Sequence, residues 1–178
     1  MSSIYQISLT SEEGQTVSLE QYKNKVLLVI NVPLNTGSTA QHTKLEQLYK
    51  NYKALGFEIL AIQTNEFDIK LFGDKHQFTF PLIKQTKVRG EGQHELYKIL
   101  TNEAPDSFGT FYSQAKRAFI MRGLDEGKDS DVMWNFEKFL INKKGVVIKR
   151  FATEIHPDDS RLIEVIEAEL GNVASISA

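Results

Sequence analysis

Two apolar runs, VLLVINV at 26–32 and FEILAI at 57–62, flank an amphipathic stretch, and this triplet constrains the fold more than any other feature. Continuous apolar, β-branched runs of this kind, the first bounded by Lys25 and Pro33, belong to strands buried on both faces of a parallel or mixed sheet. Between them Leu45, Leu48, Tyr49, Tyr52 and Leu55 fall at helical spacing, and Gly56 stands where a left-handed C-cap belongs. Strand, helix, strand predicts a right-handed crossover unit. The loop NVPLNTGSTAQ at 31–41 and Thr64 then lie at matching strand ends, the edge of an open α/β sheet where ligands dock.

The remaining segments extend this sheet. TFPLIKQTKV at 79–88 reads as extended, with Pro81 arguing for an irregular or edge position. HELYKIL at 94–100 is a short helix. FLINKKGVVIKRF at 139–151 is two apolar runs around a glycine turn, hence an antiparallel hairpin. Pro157 and two Asp residues open a last helix whose Leu162, Val165, Ile166 and Leu170 form an apolar stripe ending at Gly171. The expected organisation is one domain over 1–171, with an insert at 104–131 that breaks the rhythm and a flexible tail at 172–178.

With 21 basic and 23 acidic side chains the net charge is −2, which provides no broad footprint for nucleic acid or anionic lipid. No apolar run reaches the roughly 18 residues of a membrane span, and the N-terminus lacks secretory-signal blocks, so the expected compartment is the cytoplasm. Lys143, Lys144, Lys149 and Arg150 read as a solvated face of the hairpin, and His42 as a solvated helix residue. His76, His94 and His156 have no metal-ligand spacing, so no metal is expected. Gly90 and Gly92 lack the following Lys and Ser or Thr of a phosphate loop. Cysteine is absent altogether, which excludes disulfides, zinc-thiolate sites and any cysteine nucleophile.

Four stretches together resemble the glutathione peroxidase family: KVLLVINV before the loop, TNEF at 64–67, TFPL at 79–82, and WNFEKFLINKKG at 134–145 followed by VVIKRFA. The resemblance implies a thioredoxin-like α/β fold, a mixed central sheet flanked by helices on both faces. It also implies reduction of hydroperoxides with glutathione or thioredoxin as reductant, no prosthetic cofactor, and a hydroperoxide and a thiol as small-molecule partners. In the family the loop after the first long strand ends in a cysteine or selenocysteine followed by glycine. The matching dipeptide here is Thr36-Gly37. The family's glutamine falls at Lys70 by counting from TNEF, while its tryptophan and asparagine are retained as Trp134 and Asn135.

Peroxide reduction needs a soft nucleophile that ionises near neutral pH, becomes a sulfenic or selenenic acid and is recycled by thiols. A threonine alcohol does none of this. Read without the resemblance, Thr36 is a turn hydroxyl that satisfies backbone N–H groups, as Ser38 and Thr39 also can. Lys70 reads as a surface charge or as the partner of an anionic ligand, Trp134 as packing. Pro33, Leu34, Asn35 and Lys70 depart from the family pattern together with a shortened stretch between Phe67 and Thr79. That is the pattern of natural divergence. Three function classes follow: an impaired enzyme of peroxidase descent, a non-catalytic ligand- or protein-binding module, and a structural role through an insert that resembles the longer loop of tetrameric, homo-oligomeric members.

Overall fold

The computed structural model describes residues 3–34, 40–67, 77–109, 118, 121–123 and 130–171. Thr36, Lys70, His76, most of the 104–131 insert and the 172–178 tail lie outside the described residues. A small hairpin, β1 (Ser8–Thr10) and β2 (Thr16–Ser18), precedes the long central strand β3 (Val26–Pro33). Helix α1 (Ala40–Tyr52) and a 3-10 turn lead through Gly56, at φ 92°, into β4 (Phe57–Thr64). Then follow β5 (Leu82–Ile83), α2 (Glu95–Glu103), the hairpin β6 (Lys138–Ile141) and β7 (Val147–Phe151), and α3 (Ser160–Leu170).

The main sheet has the order β5-β4-β3-β6-β7, with β4 parallel to β3 and β6 antiparallel to it. Every residue of β3 is buried, because its two faces feed two cores. Leu27 and Val29 join Leu96, Tyr97 and Leu100 of α2 on one side. Val26, Leu28, Ile30 and Val32 pack on the other against Leu45 and Leu48 of α1 and Leu162 and Ile166 of α3. Helices therefore cover both faces, as the double-sided apolar run requires.

Pro81 immediately precedes β5 at the sheet's edge, where a missing N–H removes no ladder bond. The β6–β7 turn is set by Asn142, whose Oδ1 accepts from the backbone N–H groups of Lys144 (3.0 Å) and Val146 (3.1 Å). Gly145, at φ 82°, must be glycine for a second reason: a Cβ there would meet the Tyr5 ring at 2.6 Å. The last helix starts at Ser160 rather than at Pro157. Asp159 is its cap, accepting from the Arg161 N–H at 2.9 Å, and the Arg161 guanidinium beside it holds the Asp159 carboxyl down at about 2.

Two further expectations are overturned. His42 is buried, its ring edge-on to Phe78 at 5.2 Å and Phe136 at 5.4 Å. Arg150 is also buried, although Lys143 and Lys144 beside the turn are exposed as expected. The cause is a bulge. Ile141 pairs with Val147 and Leu140 with Lys149, so Ile148 is an extra residue on β7. Val147 and Arg150, three apart, consequently face the same core, and simple alternation fails.

Candidate functional site

The corner at the C-terminal end of β3 is built largely by one polar residue inside the apolar run. Asn31 donates its backbone N–H to the Glu137 carbonyl (3.4 Å) and its side-chain Nδ2 to the Trp134 carbonyl (2.9 Å). Its own carbonyl accepts from the Phe136 N–H at 2.7 Å. The turn 134–137 is thus fastened along the end of the central strand. Antiparallel pairing of Ile30 with Lys138 dictates this placement, since residues just before β6 must lie beside residues just after Ile30.

Within the turn Phe136 is left-handed at φ 65°, a conformation that costs a bulky residue about 1–2 kcal/mol. Two contacts hold it from the α1 side. Thr153 Oγ1 donates to the Asn135 carbonyl (2.7 Å), and the Thr153 carbonyl accepts from Gln41 Nε2 in the first turn of α1 (3.1 Å). Trp134 is half-buried, its ring 5.8 Å from that of Phe67 beyond β4. Asn135 is fully buried, and among the described residues neither Oδ1 nor Nδ2 of its amide has a hydrogen-bond partner. A buried amide with both ends open requires a donor and an acceptor from something else, a water or a small polar ligand.

Behind the turn stands a charge pair that sequence reading missed. Arg150 Nη2 bonds Glu137 Oε2 at 2.9 Å and the Asp131 carbonyl at 2.9 Å. Its Nη1 donates to the carbonyls of Ser130 (2.7 Å), Pro105 (3.0 Å) and Ala104 (3.3 Å). Both stems of the insert are therefore clasped by one guanidinium. Glu137 Oε2 also accepts from the Met133 N–H at 3.3 Å, which fixes the approach to Trp134. Burial pushes the Glu137 carboxyl up, against the pull of Arg150. Lys138 points to the opposite face, where burial draws its ammonium down to about 7 while Glu137, Glu154 and Asp159 resist.

Of the four residues expected at the site, Trp134 and Asn135 are brought to the head of α1 beside the end of β3; Thr36 and Lys70 are outside the described residues. Asn31 carried a readable signal, an amide within a run otherwise apolar. Glu137, Lys138 and Arg150 carried less, because WNFEKFL and VVIKRF look like ordinary half-exposed strands.

The glutathione peroxidase model matches residues 4–101, more than half of the chain. The chain belongs to the glutathione peroxidase family. Among its relatives, the thioredoxin/glutathione peroxidase BtuE of Escherichia coli is 32% identical over 89% of this chain and 92% of its own. The crystal structure of T. cruzi GPX1 aligns with a TM-score of 0.74 at 28% identity, covering 96% of this chain and 97% of the other. A thioredoxin family protein from Chlorobium tepidum, at 14% identity and TM-score 0.53 over 96% of this chain and 97% of its own, shares the fold alone. Glutathione peroxidases use no prosthetic group and draw electrons from glutathione or thioredoxin. This member has no cysteine with which to do so.

Proposed function

We propose that this protein is a catalytically silent glutathione peroxidase homologue whose Trp134–Asn135 corner serves as a binding site for a small polar molecule. One observation carries the reading: the chain lacks any thiol, yet the Asn135 amide stays fully buried with both ends open among the described residues. In a working enzyme a thiolate attacks the peroxide O–O bond, takes one oxygen as sulfenic acid and releases water or alcohol. An alcohol at Thr36 stays protonated at neutral pH and forms no oxidised species that a thiol can reduce. Without that thiolate, the buried Asn135 amide beside Trp134, a donor suited to a developing negative charge, is left to serve a ligand.

In this reading Thr36 occupies the vacated nucleophile position and Lys70 the position of the family's glutamine, where an ammonium favours an anionic group on the ligand. Residues 1–171 act as one domain, the 104–131 insert serves self-assembly, and the proposed compartment is the cytoplasm, where the family's thiol reductants circulate.

The single replacement Thr36→Cys tests whether the corner is intact. The expected new thiol is oxidised by hydrogen peroxide to a sulfenic acid, trapped by dimedone, faster than free cysteine at the same pH. Sustained turnover does not follow with thioredoxin, because no second cysteine is present to resolve the intermediate. A thiol at position 36 that reacts no faster than free cysteine defeats the proposal and leaves a purely structural role.

A further inference from the structure

Lys138 opens β6 fully buried, and its Nζ donates to the Phe136 carbonyl at 2.6 Å. Phe136 is the left-handed residue of the corner, φ 65°, a state that bulky side chains hold only when neighbours enforce it. The carbonyl on one side of Phe136 thus rests on the ammonium, and its N–H on the Asn31 carbonyl at 2.7 Å. Removing either support loosens the left-handed end of the turn, although Asn31 Nδ2 and Thr153 Oγ1 still hold the Trp134 and Asn135 carbonyls.

We infer that Lys138 is a positioning residue for the Trp134–Asn135 corner: its ammonium pins the Phe136 carbonyl and the left-handed turn, and loss of its proton loosens both. The physical basis is the gap between a charge-assisted hydrogen bond and a neutral amine's weaker one. Burial draws Lys138 down to about 7 from an ordinary 10.5, so the charged, pinned form holds below that pH and the neutral form above it. Among the described residues the acidic groups acting on it pull the other way, toward keeping the proton: Glu137 from the turn just before it, Glu154 and Asp159 from the segment between β7 and the last helix. His42 of α1 lies against Phe136, and His156 acts on Asp159, so both imidazoles are replaced as controls. The inference stands whether or not the corner holds a ligand.

Trp134 is the sole tryptophan, and its emission reports the corner directly. From about pH 5 to about pH 9 the protein's tryptophan emission is expected to titrate with one midpoint near 7. Lys138→Met abolishes the transition, Lys138→Arg holds the acid-side signal throughout, and His42→Gln and His156→Gln each retain it. A transition that survives in either lysine variant, vanishes in a histidine variant, or never occurs in the unsubstituted protein overturns the assignment. Should Lys138→Met fail to fold by far-ultraviolet circular dichroism, Lys138→Arg and lysine 13Cε shifts of the unsubstituted protein decide. One lysine titrating in step with Trp134 supports the inference, and all lysines titrating near the ordinary value of 10.5 refute it.

Discussion

Arg150→Ala is expected to cost the fold on the order of 3–5 kcal/mol, the range for stripping one partner from a buried ion pair. The guanidinium is fully enclosed, and its loss takes the charge partner from Glu137 Oε2 and a donor from each of the carbonyls of Ala104, Pro105, Ser130 and Asp131 at once. Glu137 then carries an uncompensated buried charge, or takes up a proton at neutral pH. Either outcome is costly. The pair as a whole is another matter, since desolvating two ions offsets much of their attraction. Glu137→Leu combined with Arg150→Met is accordingly expected to recover a large part of the loss, a non-additivity that a double-mutant cycle by urea denaturation measures. A single-variant loss below about 1 kcal/mol contradicts this account, since that is the range of exposed ion pairs.

Phe139→Ala is the second large effect, expected at about 3–5 kcal/mol. Phe139 is fully buried in β6, opposite Val29 of the central strand and Arg150 of β7. Its ring stands edge-on to Tyr97 of α2 at 6.1 Å between centroids, and the Arg150 guanidinium sits 5.0 Å from its centre. Truncation leaves a cavity walled by a helix and the rigid middle of a sheet, which have little freedom to collapse into it. The unfolding midpoint in urea should fall with little change in slope. A drop comparable to that of an exposed substitution would show that the α2 layer repacks freely.

The architecture was legible where period and punctuation agreed. A continuous apolar run announced β3, Gly56 closed the 3-10 turn that ends the first helical stretch, and the 139–151 hairpin followed from its glycine turn. Trp134 and Asn135 were found through a motif, and the structure sets them beside the end of β3 through Asn31. The hidden parts share a physical cause. Arg150 faces inward because a bulge shifts the alternation by one residue, and a bulge leaves no clear mark in composition. His42 is buried because Phe78 and Phe136, distant in sequence, close over it. Lys138 looked like any polar residue at a strand entrance. Its Nζ rests on the turn before it, and its charge is favoured by Glu154 and Asp159 beyond the next strand, groups that no local window contains.

In the proposed reading, a glutathione peroxidase scaffold without a thiol or selenol does not turn over. The most direct measurement is a coupled assay of the unsubstituted protein with hydrogen peroxide and either glutathione or thioredoxin, in metal-free buffer. The account predicts reductant consumption indistinguishable from buffer at every protein concentration; consumption that rises in proportion to the protein added would contradict it.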